Sequence, residues 1–203
     1  MMRGYRNVVN IIYWLALTIW IAALISAAVA AMNVFPTLDE TVLTLERYAE
    51  YPEAEHPRLL AGRIMERVFF LVDLLQFGAA PVAVLALLVQ VFVFGMPLRR
   101  AGHIIRAGCI VAAAGLLTYH ATLLAPGMNR ELRAYWAAAE AGEIEAARAR
   151  REAFNAYHPR ADAVLRLNLL LLLVAVGASA AAWAPTDAAR RERLETPKLA
   201  KSR

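Results

Sequence analysis

Cysteine and lysine are scarce in this sequence. Its 203 residues include one cysteine, Cys109, and two lysines beside 20 arginines. A lone thiol excludes an intramolecular disulfide and a cysteine-ligated metal centre. Its place in an apolar run marks it as a small packing residue. The familiar catalytic patterns are missing too: no GxGxxG, P-loop, HExxH, CxxC or GxSxG occurs. No sequence signature of dinucleotide binding, nucleotide hydrolysis, zinc hydrolysis, thiol redox or serine catalysis is left.

The deciding absence is that of charge. Stretches 7–38, 74–98, 107–129 and 167–186 contain no Asp, Glu, Lys or Arg, and together they hold 100 of the 203 residues. A soluble domain spreads its charges over every surface element, so that class is excluded. Roughly 20 apolar residues cross a bilayer as a helix, and each gap is that long or longer. The sequence therefore predicts an all-α polytopic membrane protein: a four-helix transmembrane bundle with two external amphipathic helical segments. The spans fall at about 8–32, 68–96, 104–124 and 159–183. They form one domain, 1–185, followed by a basic cytoplasmic tail, 186–203. The net charge of +5 does not point to nucleic acid. No aromatic-basic interleaving accompanies it, and basic residues beside spans are what membrane orientation uses.

Local chemistry refines each part. In span 1, Trp14 and Trp20 are large anchors, and Ala23, Ala27 and Ala31 make a small-residue stripe for close helix packing. Asn33 to Leu38, with Pro36, is expected to end it. Ala28-Val29-Ala30 resembles a signal-peptidase site, but the uncharged run is longer than a signal peptide needs, so the span is expected to be retained. Residues 39–67 hold seven acidic and four basic residues. Val42, Leu43, Leu45 and Tyr48 predict a short surface helix there, ended by Pro52 and Pro57, with His56 solvated. Gly78 and Pro81 predict a kink in span 2. Gly108, Ala112 and Gly115 offer packing positions in span 3, which Pro126-Gly127 ends. Residues 128–158 predict two helices divided at Gly142, with Leu132, Trp136 and Ala139 on one apolar face. Pro159 starts span 4.

Orientation follows the short basic flanks: Arg3 and Arg6, then Arg99, Arg100 and Arg106, then six basic tail residues against three acidic ones. The positive-inside rule places both termini in the cytoplasm. Arginine and alanine bias fits GC-rich coding, so the expected location is a bacterial inner membrane.

Several short motifs resemble the TMEM205-like (DUF4149) group of bacterial membrane proteins. They are Asn33-Val34-Phe35-Pro36, the run from Leu60-Ala61-Gly62 to Val68-Phe69, Ala125-Pro126-Gly127-Met128-Asn129, and Phe154 to His158 followed by Asn168. The resemblance implies a four-helix integral membrane protein and supplies no catalytic residue.

Depth picks out the candidate site. Asp73 and His120 each lie six residues, roughly 9 Å, from one end of their spans. Gln76 is a turn from Asp73, and Arg166 and Asn168 lie roughly 6 and 9 Å into span 4. Ionisable groups at such depth face the bundle interior. Asp73, Gln76, His120, Arg166 and Asn168 thus form either a polar cavity for an ion, proton or ligand, or an Asp73–Arg166 register pair with His120 reaching to the interface. Asp162 competes for Arg166, and Arg166 and Asn168, about 200° apart, cannot face one neighbour.

Three functions fit. The first is a non-enzymatic scaffold, accessory or stress-related protein embedded in lipid, alone, as a homo-oligomer or in a larger complex. The second is a haem- or copper-binding redox protein using His120 and His158. The third is a small transporter built on the polar layer. No metal or cofactor is expected, because no convincing pair of ligands faces across the spans.

Overall fold

In hydrocarbon a backbone N–H or C=O has no water to bond, so a charge-free stretch crossing a membrane must satisfy itself as a helix. The computed structural model describes residues 2–98 and 100–183 and has no strand among them. Its long elements are α1 (Met2–Asp39), α2 (His56–Phe92), α3 (Ala101–Tyr119), α4 (Ala125–Glu140), α5 (Ile144–Asn155) and α6 (His158–Trp183). Four helical stretches are long and apolar enough to cross a membrane. The basic tail at 186–203 lies outside the described residues.

The four spanning helices pair off. α1 packs along α2 and α3 along α6, with far thinner contact between the pairs. One core joins them: Tyr13, Leu17 and Trp20 of α1 meet Leu87, Ile110, Ala113 and Leu172. The small stripe of α1 works as expected, with Ala23 and Ala27 buried against Val72 of α2. The glycines of α3 do not. Gly108 and Gly115 face open space, Ala112 is exposed, and Ala113 is the small residue at the helix contact.

Prolines end fewer helices than expected. α1 continues through Pro36 to Asp39. At Gly78 and Pro81 the sequence predicts a kink and not an end, and α2 is one helix with Pro81 inside it. Pro57 and Pro126 stand in first turns, where no helical N–H bond is lost. Pro126 therefore starts α4 instead of ending span 3. A wide π-type turn, His120–Leu124, carries α3 into it.

α1 and α2, at 38 and 37 residues, are each about 55 Å long. That exceeds a hydrocarbon core of about 30 Å. α4, α5 and the 40–55 connection gather at one end into a cap with its own apolar core: Tyr48, Tyr51, Leu59, Tyr135, Trp136 and Ala147. The expected surface helix in 39–67 is replaced by two short 3₁₀ turns, Glu46–Tyr48 and Glu53–Glu55, and Val42 is fully exposed.

His56, expected to be solvated, is 0% exposed. Its Nδ1 accepts from the Leu45 N–H at 3.0 Å, so Nε2 carries the proton. That N–H donates to the Tyr48 and Tyr51 carbonyls at 2.9 and 3.0 Å. Irregular backbone needs such partners when buried, and one imidazole supplies three of them.

Charge tightens the cap. Arg151 meets Glu55 at 2.7 Å, tying α5 to the connection. Glu131 of α4 lies between Arg150 at 2.9 Å and Arg130 at 3.1 Å. Hydrogen bonds from Arg150 and then Arg130 hold its carboxyl below the usual carboxylate range. The division at Gly142 is as the sequence predicts. Its φ is +70°, and a Cβ there would meet Glu50 Cβ at 2.8 Å. Gly142→Ala should therefore lower stability by about 1–3 kcal/mol, measured by thermal melting in detergent. An unchanged melting temperature would mean that the turn relaxes freely.

Candidate functional site

Residues of α1, α2, α4, α5 and α6, with His120, surround a gap between the bundle core and the cap. The result is a cleft of about 1370 Å³. Its walls are apolar: Leu24, Ala27, Ala28 and Ala31 of α1, Phe69 of α2, and Leu165 and Leu169 of α6. Met128, Leu132 and Trp136 line it from α4. Met32 and Phe70, 72% and 67% exposed, stand at its edge, so it is open to the surface between them.

Polar groups sit at the floor and rim, among them Arg58, Glu66, Arg67, Arg133, Arg151 and Glu152. On the floor, His120 Nε2 lies 3.6 Å from Asp73 Oδ1, across α2 and the π-type turn. The side chains are 13% and 27% exposed, and His120 Nδ1 has no partner. Gln76 is buried beside them, its Oε1 accepting from Trp20 Nε1 at 3.2 Å. Turns of this wide type frequently occur at functional sites, because the extra residue re-aims a side chain. Here it accompanies the meeting of His120 with Asp73.

The expected Asp73–Arg166 pair does not form. Arg166 bonds Asp162 one turn back, Nε to Oδ1 at 3.0 Å and Nη2 to Oδ2 at 2.9 Å, with its side chain 80% exposed. The helical period explains this. Asn168 is buried against α3, Nδ2 donating to the Ala113 carbonyl at 3.4 Å. With Asn168 turned inward, Arg166 is carried to the outside. It reaches only the rim of the cleft, which Asn168 does not line. Of the five residues singled out by depth, Asp73, Gln76 and His120 therefore come together, and Arg166 and Asn168 do not join them.

His158 also lines the cleft, its ring edge-on to Phe154 with centroids 4.7 Å apart. Among the described residues no three His, Cys, Asp or Glu side chains converge as metal ligands do. Asp73 and His120 alone offer two donors, short of the three or four a tetrahedral centre uses. Trp20 has a role beyond anchoring, as the donor that fixes Gln76. Its spacing from Gln76 carries no local signal. The α4 wall was legible, since Leu132 and Trp136 repeat at i,i+4.

No protein family, curated protein or solved structure matches the chain. The chemistry of the cleft must therefore be read from its own residues.

Double-mutant cycles on thermal stability should separate the pairings. Asp73→Asn with Arg166→Gln should be additive within about 0.5 kcal/mol, as for residues without shared partners. Asp73→Asn with His120→Gln should show coupling of about 0.5–3 kcal/mol. Coupling in the first cycle and none in the second would restore the Asp73–Arg166 pair.

Proposed function

We propose that this membrane protein holds an amphipathic molecule of the surrounding leaflet, a lipid with a compact polar head, without carrying out chemistry on it. The observation behind this reading is the cleft itself: about 1370 Å³, largely apolar walls, Asp73, Gln76 and His120 together within it, and charged residues such as Arg58, Arg133 and Arg166 elsewhere along its lining. Ligand sites of this kind are mostly apolar, with a few polar groups that fix orientation. Its size exceeds the roughly 300–1,000 Å³ typical for small ligands, which suits an acyl-chain molecule. A scaffold or accessory role in the membrane is compatible with such a bound lipid. A carrier reading has less support, because below Gln76 the bundle is filled by Tyr13, Leu17, Trp20, Ile110 and Leu172, all at most 1% exposed. The copper reading has less support, because no three His, Cys, Asp or Glu side chains converge among the described residues. For haem, which takes one or two axial ligands, His120 and His158 both line the cleft, and this stays the second reading. Kinship with the TMEM205-like group belongs to this proposal and rests on the short motifs alone.

Lipid retained through purification in a mild detergent, measured by mass spectrometry, tests the reading. Ala28→Trp fills the cleft from α1 and should reduce retained lipid at least several-fold, while Ala112→Trp on the exposed face of α3 should not. Equal retention in both would sink the proposal.

The proposal also places both termini in the cytoplasm of a bacterial cell, with the α4–α5 cap outside. It is supported by Arg3, Arg6, Arg99, Arg100, Arg106 and the six basic tail residues. Reporter fusions at Ala141 and Ala200 should read external and cytoplasmic, respectively. A cytoplasmic signal at Ala141 reverses the orientation.

A further inference from the structure

The end of the bundle remote from the cap holds a second polar cluster. Arg106 lies five residues into α3, roughly 8 Å from its start, and is 4% exposed. Its Nη2 donates to Gln90 Oε1 of α2 and, at 3.4 Å, to Met96 Sδ in the α2–α3 connection. The guanidinium carbon stands 4.6 Å from the ring centroid of Tyr13 on α1. None of these partners carries a negative charge. No carboxylate among the described residues pairs with Arg106.

The other buried charged side chain among the described residues, Glu131, contrasts with it. Glu131 is shared by two arginines. Around Arg106, by comparison, three buried atoms have no partner: Arg106 Nε, Gln90 Nε2 and His103 Nδ1. The Tyr13 hydroxyl also makes no bond of normal geometry, and its polar neighbour is Ser179 of α6. Gln90, Tyr13 and His103 are 5%, 0% and 8% exposed. The guanidinium and amide nitrogens can only donate, and the hydroxyl and imidazole can each donate.

A buried charge without a counter-ion is costly, and so is each unmade hydrogen bond. A cation would be repelled here. Water would accept from the donors and leave the charge unanswered. An oxyanion answers both, since it carries the opposite charge and several acceptor oxygens. The cluster also lies where the charge-free stretch 107–129 begins, at the edge of the apolar layer. We propose that Arg106, with Tyr13, Gln90 and His103, forms a site for a phosphate-class oxyanion, reached when Met96 leaves the guanidinium. The phosphate is either a lipid headgroup's or free in solution. This site lies at the opposite end from the cleft and does not depend on what the cleft holds.

The test uses the full chain, purified and delipidated in an uncharged detergent. Its melting temperature is followed against sodium phosphate, with sodium chloride at matched ionic strength as control. A parallel series adds phosphatidylglycerol, with uncharged diacylglycerol as control. Wild type should be stabilised by at least one phosphate source and by neither control. Stabilisation by phosphate identifies the free anion, and stabilisation by phosphatidylglycerol alone identifies the headgroup. Arg106→Gln should need about 10- to 100-fold more ligand, as for loss of a charge-assisted hydrogen bond. Arg148→Gln, whose arginine already pairs with Glu145 on α5 away from the cleft, should titrate as wild type. Should Arg106→Gln not fold, Tyr13→Phe and His103→Phe keep the charge and remove one donor each. They should weaken the response about 3- to 10-fold. The proposal is overturned by a wild type that responds to neither phosphate source, by Arg106→Gln titrating like wild type, or by both phenylalanine variants doing so.

Discussion

Every feature of this structure depends on one constraint: a backbone in hydrocarbon must bond to itself. Four charge-free stretches can meet it only as helices, and once helical they pack by shape, because lipid is as apolar as leucine. Shape then decides the partners. The alanine stripe of α1 lets α2 approach closely, and Ala113 does the same for α3 against α6. Each pair is tight because small residues meet along it. Between the pairs, large side chains such as Tyr13, Trp20 and Leu172 fill one end. No comparable layer fills the other end, and the cleft is the space left over.

The cap keeps that space from collapsing. α4 continues α3 through a wide turn, so its direction is set by the membrane helix below. It packs on α5, on the start of α2 and on the 40–55 connection. The connection in turn is held by His56, whose ring bonds three backbone groups. Arg151 to Glu55 joins elements nearly a hundred positions apart in sequence. These contacts lie outside the four charge-free stretches, where polar interactions carry the structure and apolar ones share the load. The cleft is therefore bounded by two kinds of packing, apolar shape below and mixed polar packing above.

The parts of the fold that could be read from sequence were those governed by a local rule. Span number follows from runs without charge. The break at Gly142 follows from a glycine between two helix-forming stretches, and its positive φ shows why glycine is needed. Depth along a span follows from the rise per residue, which placed Asp73, Gln76 and His120 in one layer. Azimuth does not follow from depth. Arg166 shares that layer and faces outward, because Asn168 uses the inward face of α6. His56 was misread for a related reason. A histidine among acidic residues and prolines looks solvated, and only the folded connection reveals the backbone groups that it satisfies. Prolines were misread because the same residue ends one helix and starts the next, and the distinction depends on which N–H would otherwise be bonded.

Two arginines, Arg106 and Arg166, show how placement turns the same side chain to different ends. Both border charge-free stretches and both look like membrane-flank charges in the sequence. Arg166 has a carboxylate one turn away, so a local ion pair forms at little entropic cost, and its side chain stays on the outside of the bundle. Arg106 has no acidic residue within a turn on either side. The packing of α1, α2 and α3 then closes over it, leaving an aromatic face, an amide oxygen and a thioether sulfur as neighbours. An aromatic ring and neutral acceptors stabilise a guanidinium partly, and they leave its net charge in place. A fold that buries such a cation while leaving its Nε, the Gln90 amide nitrogen and His103 Nδ1 unpaired has a site shaped for something that the described residues do not supply. The charge of the cluster specifies the sign of that missing group, and its unpaired donors specify an acceptor of several hydrogen bonds.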